Sequence, residues 1–201
     1  NTAASLTATM ALEYISANVE IRRAAEMIMD ALPLCPERHI SYSTFTMVRA
    51  EIGGNVRLIE YGNPPALLFR GAEPVAIPRT LFMLPRWGTR DMKYATFDIR
   101  LGDRLVFCSD GVTQSAMGSD RFPFGWGNDN LAQFITETLT ADPATEGADL
   151  TKAVVEKAQG YDNGVPGDDI TCNVLHDRET RILQVLTGPP YTKSNDHAYA
   201  S

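Results

Sequence analysis

Two apolar, strand-like runs in this chain meet a carboxylate at one end. In Gly102–Asp103–Arg104–Leu105–Val106–Phe107–Cys108–Ser109–Asp110–Gly111 the run ends abruptly at Asp-Gly, and in Gly167–Asp168–Asp169–Ile170–Thr171 a Gly-Asp-Asp opens a new one. An acid at the rim of a strand stands clear of the core yet is held by rigid backbone. Two of them, from strands far apart in sequence, can converge on one hard cation.

The rest of the pattern supplies the layers around those strands. Ala8, Leu12, Ile15 and Val19 recur at helical spacing and predict a helix over residues 2–18. Ile21, Ala25, Ile28 and Leu32 repeat the pattern and stop at Pro33, which cannot continue a helix interior. The two read as amphipathic helices covering one face of something flat. Residues 41–52 are rich in Thr, Phe, Tyr and Val, Gly53–Gly54–Asn55 is a turn signal, and 56–61 is strand again, which is a hairpin in sequence form. Gly62–Asn63–Pro64–Pro65 makes another sharp turn before a strand over 66–70. Residues 71–90 are punctuated by proline, with extended pieces around Val75 and Leu81, and strands over 94–99 and 103–109 flank a turn at Leu101–Gly102. After a long loop over 113–128, functional or disordered, come helices over 131–139 and 148–158 and a loop over 161–167. Residues 170–175 and 181–187 are expected to form a final strand pair. Helices, then a strand meander, then helices, then strands make an α+β fold. Residues 1–188 read as one domain and 189–201 as a polar tail.

Charge excludes some functions. With 18 basic against 25 acidic residues the net charge is −7, and Arg22–Arg23 is the longest basic pair, so a nucleic-acid groove or an anionic membrane surface is not expected. No window approaches about 18 consecutive apolar residues, so no spanning helix is expected. Cys35, Cys108 and Cys172 form no CxxC; Cys108 and Cys172 lie in apolar runs and read as small buried hydrophobes, in a reduced, cytoplasmic setting. His39, His176 and His197 show no ligand spacing.

The motifs as an ordered set resemble a known family. The segment from Gly102 to Thr113 is similar to the "GD-x-L-hydrophobic-x-(S/T)-DG-(V/L)-T" stretch of bacterial metal-dependent, type 2C-like serine/threonine protein phosphatases, in the sporulation stage II protein E-like branch. Asp168–Asp169–Ile170–Thr171 resembles the closing "DD-(I/M)-T" of that branch, and residues 59–68, containing Gly62–Asn63–Pro64–Pro65, resemble its "G-(H/N)-P-P" hairpin turn. The resemblance implies an α-β-β-α sandwich of two antiparallel sheets flanked by helices. It also implies a pair of Mn²⁺ or Mg²⁺ ions that activate a water to attack phosphoserine or phosphothreonine. By position it makes Asp110 and Asp168 metal-binding catalytic residues, Asp169 a residue that orients neighbours or caps its turn, and Gly111 the residue permitting the tight turn after the ligand. Taken alone, Asp110–Gly111 reads equally as an ordinary turn, and Gly167–Asp168–Asp169 as an exposed acidic loop. The partner implied is a phosphorylated regulatory protein.

The resemblance also sets expectations for what is absent. The family's early ligands, an Asp on a first strand and an Asp-Gly-x-Gly turn, precede its first helix, and here that helix begins at about Thr2. The 201 residues are therefore expected to lack amino-terminal strands, to be catalytically impaired alone, and to self-associate through an open sheet edge. A non-catalytic interaction module on the same fold is the alternative, and a small-molecule phosphohydrolase a third reading. Arg86, Arg90 and Arg100, near Asp91 and Asp98, are candidate phosphate clamps or solvated surface charge. Trp87 and Trp126 read as loop packing or as a substrate rim.

Overall fold

The computed structural model describes residues 2–32, 44–51, 53–83, 91–162, 164, 166–177 and 184–187. Readings on Cys35, His39, Arg86, Trp87, Arg90, His197 and residues 189–201 lie outside the described residues. In chain order the elements are α1 (Thr2–Ser16), α2 (Ile21–Ala31), β1 (Phe45–Ala50), β2 (Asn55–Tyr61), β3 (Leu67–Arg70), β4 (Glu73–Val75), β5 (Arg79–Met83), β6 (Asp91–Asp98) and β7 (Arg104–Cys108), followed by α3 (Asp110–Thr113), α4 (Gly127–Ala141), α5 (Gly147–Tyr161), β8 (Cys172–His176) and β9 (Gln184–Thr187).

Helix α2 starts where the Glu20 carboxylate accepts from the Arg22 and Arg23 backbone N–H groups at 2.9 and 3.1 Å, supplying an acceptor that the first turn lacks. It ends with Leu32 in extended geometry (φ −73°, ψ 137°), as a following proline favours. Ile21, Ala25, Ile28 and Leu32 are all buried, as their spacing predicts. Helix α1 turns a different face inward. Its buried stripe is Thr7, Ala11 and Ile15, whereas Leu12 is 54% exposed. Ala11 joins the apolar cluster built on α2 and the sheet beneath, and a small side chain there lets the two helices approach closely.

The strands form two antiparallel sheets, ordered β5-β6-β2-β1-β9 and β4-β3-β7-β8. The β1–β2 hairpin forms as expected, with Gly53 and Gly54 at φ +103° and +90°. A Cβ on Gly54 would stand 2.4 Å from the Ile99 carbonyl oxygen, so the turn needs glycine there twice over. Two connections differ from expectation. Gly62–Asn63–Pro64–Pro65 is not a hairpin turn; it carries the chain from β2 in one sheet to β3 in the other. The last two strands do not pair, because β8 joins β7 while β9 crosses to the edge of the first sheet beside β1.

Alternation along each strand explains the layers. In β1, Phe45 and Met47 point to α2, while Val48 and Ala50 point between the sheets. In β7, Leu105 and Phe107 face the first sheet, and Val106 and Cys108 face α4 and α5 through Leu131, Ile135, Leu150 and Val154. The result is an α-β-β-α sandwich. The 113–128 segment is ordered: Trp126 is 2% exposed and packs edge-on to Phe134 and Tyr161. Among the described residues no helix is long and apolar enough to cross a membrane.

Cys108 and Cys172 sit opposite each other across β7 and β8, both buried. Burial pushes the Cys172 thiol up to about 12, and burial also raises that of Cys108, with Cys172 and Asp110 adding to it. In the unfolded chain Cys172 ionises near its ordinary 9.0. Its contribution to stability is therefore complete below that pH and is lost as pH rises through the folded value. The urea midpoint is expected to fall more steeply between about pH 8.5 and about pH 10.5 in the natural chain than in Cys172→Ala. Parallel slopes would contradict a protonated thiol in the folded core.

Candidate functional site

β7 and β8 lie side by side, so the end of one meets the start of the other. Beyond the last strand pair, Ser109 fastens the two segments. Its N–H donates to the Thr171 carbonyl at 2.9 Å, its hydroxyl donates to the Asp169 carbonyl at 2.8 Å, and the same hydroxyl oxygen accepts from the Thr171 N–H at 2.9 Å. The chain then turns into α3, where the Asp110 carbonyl accepts from the Gln114 N–H at 2.7 Å. Gly111 is buried against the other segment so closely that a Cβ would lie 2.3 Å from the Asp169 oxygen and 3.3 Å from the Asp168 carbonyl carbon. The Asp110–Gly111 turn and the Gly167–Asp168–Asp169 segment thus share one place on the molecule.

Beside that contact is a cavity of about 230 Å³ lined by Gly111, Gln114, Ser115, Met117, Asp162, Gly167 and Asp168. Asp110 is exposed, and the Gln114 side-chain amide reaches its Oδ2 at 3.4 Å. Asp168 is exposed too, and its Oδ1 accepts from the Asp169 N–H at 2.7 Å. Asp169 meets Ser109 and Gly111 through its backbone. Asp162, absent from the sequence reading, closes α5 and accepts from the Ala116 N–H at 2.7 Å. A carboxylate at a helix C-terminus opposes the macrodipole; that local misfit is the one signal the sequence offered.

The donors here are carboxylate oxygens, the chemistry that hard divalent cations prefer. Their number is short: among the described residues no three of His, Cys, Asp and Glu gather as a metal-holding group. Arg100 is at the wrong end of β7 for a clamp on this cavity. It lies in the turn before the strand and Asp110 after it, a separation of roughly 20 Å at strand rise. Arg100 is exposed, and its N–H donates to Asp103 at 2.9 Å. Asp98 accepts from the Asn55 side chain at 3.3 Å.

A protein-family model for stage II sporulation protein E matches residues 2–177. The chain belongs to that family. No curated protein sequence matches it. Among solved structures it is similar to the phosphatase domain of the cell-fate determinant SpoIIE from Bacillus subtilis, at 16% identity and TM-score 0.57 over 86% of this chain and 74% of that one. A second crystal form of that domain, without domain swapping, matches at 14% identity and TM-score 0.56 over 100% and 78% of the two chains. PppA, described as a key regulatory component of T6SS in Pseudomonas aeruginosa, matches at 14% identity and TM-score 0.53 over 87% and 79%. The α-β-β-α sandwich of this chain thus matches the fold of the SpoIIE phosphatase domain.

Two motif residues in this stage II sporulation protein E family chain serve the scaffold. Asp103, of the Gly-Asp that precedes the strand, is 2% exposed and accepts from Arg70 Nε and Nη2 at 3.1 and 2.8 Å, tying β3 to the start of β7. Arg104, buried next to it, donates to the Pro143 and Thr145 carbonyls at 3.0 and 2.8 Å and pins the α4–α5 connection.

Proposed function

We propose that this domain is a metal-dependent serine/threonine phosphatase acting on a phosphorylated regulatory protein, with Asp110 and Asp168 holding Mn²⁺ or Mg²⁺. The observation that carries the reading is the contact of Gly111 with the Asp168–Asp169 backbone, which sets two acid-bearing strand ends beside an open cavity. A phosphate ester repels anionic nucleophiles, and a bound divalent cation supplies the charge neutralisation and the lowered water pKa that its hydrolysis needs. The chain's own residues fix the positions: Ser109 sets the spacing of the two segments, and Gln114 orients the Asp110 carboxylate. PppA, which shares the fold, is itself described as a regulatory component, which supports a regulatory role for this domain.

The test is calorimetric titration of the chain with Mn²⁺, alongside release of phosphate from a phosphoserine peptide. Asp168→Asn is expected to weaken Mn²⁺ binding by at least about tenfold, and whatever phosphate release the chain retains is expected to stop on chelation. Equal Mn²⁺ affinity in the two proteins would remove Asp168 from the site. One observation favours a second reading, a non-catalytic module that binds a phosphoprotein: the lack of a three-residue ligand group among the described residues. Phosphopeptide binding without hydrolysis at saturating Mn²⁺ would select it.

A further inference from the structure

Two of the large apolar side chains that the fold leaves in water belong to one short segment. Met117 is 55% exposed and Phe124 90% exposed, both between α3 and α4. The segment is not loose. Ala116 holds φ +60°, a conformation that side-chain-bearing residues adopt at a cost, and its N–H is fixed by the Asp162 carboxylate. Gly118 N–H donates to the Pro123 carbonyl at 3.3 Å, Phe122 N–H to the Ser119 hydroxyl at 3.0 Å, and Trp126 N–H to the Ser115 carbonyl at 2.9 Å. Phe122 and Trp126 point inward as anchors, at 8% and 2% exposure, while Phe124 between them points out.

The segment also stands at the cavity. Met117 lines it together with Asp168. Gly125, next to Phe124, packs so tightly on α3's end that a Cβ would lie 2.5 Å from the Thr113 oxygen and 2.7 Å from the Gln114 Cα. Gln114 is the residue that reaches Asp110. Met117, at the cavity, and Phe124 flank the Gly118–Pro123 backbone hydrogen bond, so both belong to one turn next to the cavity.

We infer that Met117 and Phe124 form a docking ledge for the polypeptide flanking the phosphorylated residue, and that it selects a large apolar side chain beside that residue. The inference rests on the phosphatase-fold reading of the cavity. A free phosphorylated metabolite has nothing to place on such a ledge, whereas a polypeptide strand buries both side chains.

The experiment measures fluorescence anisotropy of labelled phosphoserine peptides with leucine or glycine flanking the phosphoserine, in Mn²⁺ buffer, and turnover of p-nitrophenyl phosphate. Phe124→Ser is expected to raise the Kd for the leucine peptide on the order of tenfold and to leave the glycine peptide unchanged. Leu81→Ser, which removes an apolar side chain 58% exposed on edge strand β5, is the control and leaves both unchanged. Turnover of p-nitrophenyl phosphate by Leu81→Ser stays at the natural level. Equal Kd values for the leucine peptide in the natural and Phe124→Ser proteins would overturn the ledge. If Phe124→Ser weakens binding while removing the phosphate does not, the ledge stands and the phosphatase reading falls.

Discussion

Replacing Arg79 with leucine is expected to destabilise the fold by about 3–5 kcal/mol, the effect of stripping the partner from a buried carboxylate. Glu60 points between the two sheets and is 3% exposed. Arg79 donates to it through Nε at 2.7 Å and Nη2 at 3.0 Å, and the Ala66 N–H donates to it at 2.6 Å. Arg79 Nη2 also donates to the Ala66 carbonyl at 2.6 Å. One ion pair therefore clamps β2, β5 and the end of the sheet-to-sheet crossover. Leucine at 79 leaves the Glu60 charge buried with only the Ala66 N–H. At roughly 2–4 °C per kcal/mol for a chain of this size, a melt should fall by about 10 °C. Glu60→Gln in the Arg79→Leu background removes the stranded charge while still accepting from Ala66, so it should recover part of the loss. A single-variant cost below about 1 kcal/mol would place the pair with surface ion pairs instead.

That clamp also shows why the sequence misread the crossover. A hairpin and a change of sheet both need a sharp turn, and Gly62–Asn63–Pro64–Pro65 provides one in either case. In the crossover, Arg79, remote in sequence, grips both Glu60 and Ala66. The same holds for β8 and β9: local patterning marks each as extended, but their partners are β7 and β1, from the middle and the start of the strand order. Where one periodic face dominates, the reading was direct. Ile21, Ala25, Ile28 and Leu32 are buried together with Ala24 and Met29, because the charged Arg22, Arg23, Glu26 and Asp30 occupy the opposite side of α2. Helix α1 carries apolar residues on more than one side, so spacing admitted Leu12 to the core and packing against α2 chose Ala11.

At the site, the sequence marked the segments and not the whole cavity. Asp110, Gly111, Asp168 and Asp169 announce themselves by breaking apolar runs, and the structure sets their backbones together. Asp162 is hidden at the end of an ordinary helix, where only its position against the helix dipole sets it apart. Asp103 shows the converse. It belongs to the recognisable Gly-Asp motif, yet it is buried beneath Arg70 at the far end of β7 from the cavity. A motif residue can be there for the strand's placement rather than for the chemistry.

Gly111→Ala is expected to cost about 10²-fold in turnover and about 1–3 kcal/mol in stability, although it adds a single methyl group. Its φ is not in the left-handed region, so the reason is space alone. The new Cβ would sit 2.3 Å from the Asp169 oxygen and 2.8 Å from its carbonyl carbon, below the 3.0 Å that real Cβ contacts respect. Neither side yields cheaply. The Asp169 oxygen is held by the Ser109 hydroxyl at 2.8 Å, and the Gly111 oxygen by the Ser115 hydroxyl at 2.9 Å, with Val112 fully buried behind. Relief therefore requires the two segments to part by on the order of 1 Å, the scale at which misplacement of catalytic groups costs that much rate. Gly167→Ala is the matched control: it lines the same cavity, but its Cβ meets nothing within 4 Å, so activity and Mn²⁺ affinity should stay within about twofold. Mn²⁺ titration and unfolding curves of the two variants separate the outcomes. Unchanged Mn²⁺ affinity in Gly111→Ala would mean that the spacing of the two strand ends is not what holds the ion, and the proposed metal site would lose its geometric basis.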